Sequence, residues 1–161
     1  MSSAAANTLT ITTPSDTEIV LTRQFNAPRE LVFRVITDPA LVSRWWGPRN
    51  TSTRVDRMEV RQGGAWRFVC REDNGTEYAF RGEYLEIDPP HRIVQTFEFE
   101  PMAGHVSTET MTLEEKDGRT IMTARSVFAS KEDRDGMIAS GMEQGASETY
   151  DRLEELLETM S

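Results

Sequence analysis

The hydrophobic and polar positions divide the chain into segments of different period. Residues 1 to about 16 are rich in Ser, Thr and Ala, include Pro14 and follow no period, so they read as a disordered tail. From Thr17 to Phe25, Ile19, Leu21 and Phe25 alternate with polar neighbours, the period of a half-buried strand. The period then lengthens. Pro28 suits a first helical position, Glu30 complements a helix N-terminus, and Leu31, Val32, Val35 and Ile36 form one apolar stripe. Asp38-Pro39 ends that helix and opens a second short one, in which Leu41/Trp45 and Val42/Trp46 stand four apart before Gly47-Pro48 stops it.

Six strand-like segments follow, at 53–60, 64–71, 77–87, 91–100, 106–116 and 119–128, rich in Thr, Val, Ile and aromatics. Gly63-Gly64, Asp73-Asn74-Gly75, Asp88-Pro89-Pro90 and Asp117-Gly118 punctuate them. Turns this short force antiparallel neighbours, because a parallel pair needs a long crossover. The chain closes with its longest helix, from near Ser130, where Ser130-x-x-Asp133 reads as a capping box, to about Glu158. Ile138, Met142, Ala146, Thr149, Leu153, Leu156 and Met160 continue one stripe along it. The predicted order is β-α-α-β6-α, an α+β fold of about seven strands with the sheet bent over the last helix, and residues 17–161 form one domain.

Composition narrows the function classes. At 161 residues and 37% hydrophobic, the chain has the size of one domain with a core. The formal charge of -9, with acidic residues concentrated in the second half, argues against nucleic acid, whose binding relies on Lys and Arg at phosphates. No apolar run approaches the roughly 18 residues of a membrane span, and the start lacks a secretory pattern, so no membrane partner and a cytoplasmic location are expected. One cysteine, Cys70, with His91 and His105 is too few soft ligands for a structural zinc site, and no cofactor is implied.

Several local sequences then occur together and in order: Asn26-Ala27-Pro28-Arg29-Glu30-Leu31-Val32-Phe33, Thr37-Asp38-Pro39, Trp45-Trp46-Gly47-Pro48, Gly63-Gly64-x-Trp66-x-Phe68, Gly82-x-Tyr84-x-Glu86-Ile87-x-Pro89-Pro90-x-Arg92-Ile93 and Gly141-Met142-Glu143-Gln144-Gly145. Over about residues 17 to 158 the chain resembles the family of activator of Hsp90 ATPase homologues, within the START-like (Bet v 1-like, SRPBCC) superfamily. The resemblance implies a helix-grip fold and a cavity between the long helix and the sheet, used by START-like relatives for apolar molecules. After Gly145 that family commonly places a Trp, whereas this chain has Ala146. The volume left there is either filled by neighbouring side chains or added to the cavity.

Period and motif together assign the inward face. Trp46, Trp66, Phe68, Tyr78, Phe80 and Phe97 supply aromatic surface, and Met111, Met122, Met137 and Met142 adaptable lining, beside Ala146. Gln95 and Glu109 are the telling polar members, since an amide or carboxylate facing a core must be satisfied. Tyr150, one turn beyond Ala146, would offer its hydroxyl to the same space. No phosphate loop, His-Glu-x-x-His or Gly-x-Ser-x-Gly motif is present, so no catalytic residues are assigned.

The leading expectation is a protein that binds a small apolar or aromatic ligand between helix and sheet. A co-chaperone-like interaction module with a chaperone partner is a second reading, and an enzyme for polyketide-like or aromatic substrates, with Glu109 or Tyr150 as acid or base, a third. An exposed sheet edge would let two copies pair as a homodimer.

Overall fold

The computed structural model describes residues 8–160. It has eight strands and four α-helices. The strands are β1 (Thr10–Thr12), β2 (Glu18–Phe25), β3 (Thr51–Met58), β4 (Ala65–Glu72), β5 (Glu77–Asp88), β6 (Arg92–Phe99), β7 (Val106–Lys116) and β8 (Arg119–Val127). The helices are α1 (Arg29–Thr37), α2 (Pro39–Val42), α3 (Lys131–Ala139) and α4 (Met142–Met160). All strands join one curved antiparallel sheet in the order β1-β2-β8-β7-β6-β5-β4-β3.

The turn chemistry explains the meander. Gly75, Gly104 and Gly118 take positive φ at the ends of hairpins or loops, with Asp117 at φ 55 beside Gly118. Asp38 accepts from Ala40 N at 2.9 Å and caps α2, and Ser130 accepts from Asp133 N at 3.1 Å and caps α3.

Three differences from the sequence reading stand out. Thr10–Thr12 pairs with β2 inside the stretch read as a tail, giving eight strands, and the tail assignment for residues 1–7 lies outside the described residues. Three residues are too few to display a period. The single long helix is two helices, separated where Gly141 adopts φ 84. Its apolar spacing runs across the break, so periodicity alone could not see it. α2 is only four residues, with turns continuing to the tryptophans.

The core lies where α1, α2 and the second half of α4 meet the sheet. Phe25, Val32, Val35, Val42, Trp66, Met122, Leu153 and Leu157 are almost wholly buried there. Arg152 on α4 donates to Gly47 O at 2.9 Å and to Arg44 O at 3.2 Å, satisfying carbonyls after α2. Packing is tight at Gly82, where a Cβ would stand 2.0 Å from Thr96 O and 2.6 Å from Trp66 Nε1.

Candidate functional site

The inner face of the sheet is built from cross-strand pairs. Trp66 pairs with Gly82, Phe68 with Phe80 and Cys70 with Tyr78. Across the next strands Gln95 stands opposite Glu109, and Glu109 opposite Ser126. A polar row thus crosses β6, β7 and β8 within a face that is otherwise aromatic and aliphatic.

The space over this face is divided into three chambers that share walls. A deep one of about 120 Å³ is bounded by Trp66, Phe68 and Met111 from the sheet and by Trp45 beyond α2. A middle one of about 360 Å³ opens beneath the start of α4 and is lined by Met142, Ala146 and Met137. Trp46, Gln95, Glu109 and Tyr150 line both, so the two adjoin across a shared wall. Tyr78, Phe80, Phe97 and Met137 in turn line both the middle chamber and an outer one of about 370 Å³, which reaches Met102, His105, Glu132 and Asp133. Volumes of this order suit a small organic molecule.

Aromatic rings brace the walls. Trp46 meets Phe68 edge-on at 5.1 Å and Phe80 at 5.0 Å, and Phe80 lies 5.4 Å from Phe97. The tryptophan pair divides its work: Trp45 is 4% exposed and packs in the core, while Trp46 stands between deep and middle chambers.

Met122 departs from the expected lining. It is fully buried, pairs with Leu113 and packs within the core, touching none of the chambers. It sits one row beyond Met111–Ala124, where α1 and the last turns of α4 fill the concavity, so an inward side chain there meets protein rather than open space.

The polar cluster has unusual electrostatics. Glu109 accepts from Gln95 Nε2 and from Ser126 Oγ, each at 3.4 Å. Burial pushes its carboxyl up to about 7, and those two hydrogen bonds only partly oppose the shift. Tyr150 is pushed well above the ordinary phenol range by burial first, then by the neighbouring Glu109 charge, with Arg23 acting in the opposite sense. Its ring meets Phe25 edge-on at 6.2 Å. A carboxyl that changes charge near neutrality can accept from a neutral donor, hold a cation or exchange a proton. Among the described residues no cluster of His, Cys, Asp or Glu could hold a metal ion, and no helix is long and apolar enough to cross a membrane.

Site-lining residues that sequence reasoning did not select include Leu21, Tyr84, Ser126, Thr149 and Ser140. Strand alternation already placed Ser126 two strands from Gln95, and the helical stripe contained Thr149. Ser140 carried no such signal, because only the break before α4 turns it toward the chamber.

A curved antiparallel sheet gripping a long helix, with an aromatic-walled cavity between them, defines the helix-grip, START-like class of proteins. Residues 26–158 match the family described as activator of Hsp90 ATPase homolog 1-like protein, and the chain belongs to that family. Among solved structures it is similar to a protein from Rhodobacter sphaeroides, at 26% identity and a TM-score of 0.87 over 94% of this chain and 99% of that one. A protein from Arthrobacter aurescens is 25% identical, with a TM-score of 0.86 over 93% of this chain and 91% of that one. Protein Ms6760 from Mycobacterium smegmatis is 27% identical, with a TM-score of 0.83 over 92% and 96%. No curated protein matches the chain.

Proposed function

We propose that this protein binds a small apolar or aromatic molecule in the cavity between α4 and the sheet. The observation that carries the reading is the run of adjoining chambers, walled by aromatic and Met side chains and furnished with a polar cluster, Gln95, Glu109, Ser126 and Tyr150. Apolar walls supply affinity by burying ligand surface, and the cluster orients the one polar end of the ligand. Native mass spectrometry of the purified protein, followed by solvent extraction, is the test. A stoichiometric apolar compound supports it. A clean apo mass, together with no thermal shift across a lipid and aromatic library, would reject it.

An enzymatic reading is favoured by one specific feature, a Glu109 carboxyl titrating close to neutrality beside the Tyr150 hydroxyl. Turnover of an extracted ligand that is lost in Glu109→Gln would move the protein from carrier to catalyst.

A further inference from the structure

We propose that the ligand is a hydrophobic amine, held with its ammonium group at Glu109 and its apolar body among the rings of the middle chamber. This rests on the binding reading above and names the chemical class that the cavity selects.

Among the described residues lining the deep and middle chambers, Glu109 is the sole carboxyl, and none is Lys, Arg or His. The cluster around it comes from three elements, Gln95 on β6, Ser126 on β8 and Tyr150 on α4, all neutral at physiological pH. The nearby guanidinium of Arg23 on β2 is held by Asp151 at 2.9 Å and Glu154 at 3.2 Å. Glu109 therefore has hydrogen-bond donors at 3.4 Å and no cation in the chamber. A carboxylate so placed favours a ligand that brings the missing positive charge.

The walls have the same preference. Trp46, Phe80 and Phe97 form a set of rings with centroids 5.0 to 5.4 Å apart, beside chambers that also contain Glu109. Aromatic faces attract an ammonium or its flanking CH₂ groups through the ring quadrupole. The entrance points the same way. Glu132 and Asp133 on α3 stand at the outer chamber, and the chain's net charge of -9 raises the local concentration of cations over anions. His105 also stands there, its Nδ1 2.8 Å from Asp133 Oδ1, and offsets part of that field when protonated.

The test uses the full chain and the neutral naphthalene dye prodan as a fluorescent occupant, displaced by 2-phenylethylamine, 2-phenylethanol or 3-phenylpropanoate at pH 8. The three competitors share one apolar body and differ in charge. The amine is expected to displace prodan at a concentration roughly tenfold below the alcohol, with the carboxylate weakest. In Glu109→Gln the ratio of amine to alcohol should fall to near one. In the wild-type protein the same ratio should fall between pH 8 and pH 5.5 as Glu109 takes up its proton, a readout that does not depend on the variant folding. An alcohol that competes as well as the amine, or an amine preference that survives Glu109→Gln or the pH change, overturns the proposal while leaving the binding reading intact. Failure of the amine to bind, read by thermal shift where prodan itself does not bind, overturns the proposal, and the binding reading falls with it only if the protein also has a clean apo mass and no thermal shift across the library.

Discussion

Arg23 Nη1 lies 3.2 Å from Glu154 Oε1, an ion pair that ties β2 to α4 beneath the polar end of the cavity. Arg23 is 3% exposed and its guanidinium also stacks over Phe25, 4.7 Å from the ring centroid. Glu154 in addition accepts from Asn26 N at 3.2 Å. Removing Arg23 leaves the buried Glu154 without its guanidinium partner. Arg23→Ala should therefore lower stability by about 3 kcal/mol in urea unfolding. A loss below about 1 kcal/mol would mean that water reaches Glu154 freely.

Two glycine substitutions should act in opposite directions. At Gly82 a Cβ would meet Thr96 O at 2.0 Å, a backbone atom that cannot rotate away, so Gly82→Ala should destabilise by about 2 kcal/mol or more. Gly136 lies within α3 with nothing within 4 Å of a new Cβ. Gly136→Ala should stabilise by roughly 0.5–1 kcal/mol through helix propensity and a less flexible unfolded chain. Paired thermal melts read both signs at once.

The Glu109 carboxyl makes stability depend on pH in the reverse of the usual carboxylate direction. It titrates near 7 when folded and near the ordinary 4.5 when unfolded. Between these values the folded chain holds more protons, so the contribution of this group falls as pH rises from about 4.5 to about 7, and it stays low above that. Glu109→Gln removes the effect. The variant should gain about 2–3 kcal/mol on the wild-type protein between pH 4 and pH 8, measured as the change in their stability difference. A difference independent of pH would show that the carboxyl is well solvated.

Ala146→Trp tests whether the middle chamber is used. Ala146 stands on its wall, and an indole there would occupy much of the space. Prodan uptake should be lost while the melting temperature holds or rises, since filling a void adds contacts without disturbing the core. Unchanged uptake would place the ligand elsewhere.

Much of this architecture was legible because strand side chains alternate strictly. Period and motif together turn Gln95 and Glu109 inward, the same alternation applies to Ser126, and the structure sets the three opposite one another. Antiparallel pairing followed from the short turns at Asp73-Asn74-Gly75 and Asp117-Gly118. Met122 shows the limit of the same reasoning. Its inward direction was right, yet direction does not say whether open space or a packed helix lies opposite.

The order and period of residues determined seven of the strands, their antiparallel pairing and, with the motifs, the inner face, because alternation and turn chemistry depend on neighbours a few positions apart; the family followed from the resemblance of its motifs. Tertiary structure alone decided the rest. The pairing of β2 with β8 joins segments about a hundred residues apart in the chain, and no local pattern encodes it. The break at Gly141, the division of the cavity into adjoining chambers and the burial that lifts Glu109 to about 7 depend on how distant surfaces meet. Periodicity gives the direction of a side chain, while the dielectric and the free volume around it are properties of the packed fold.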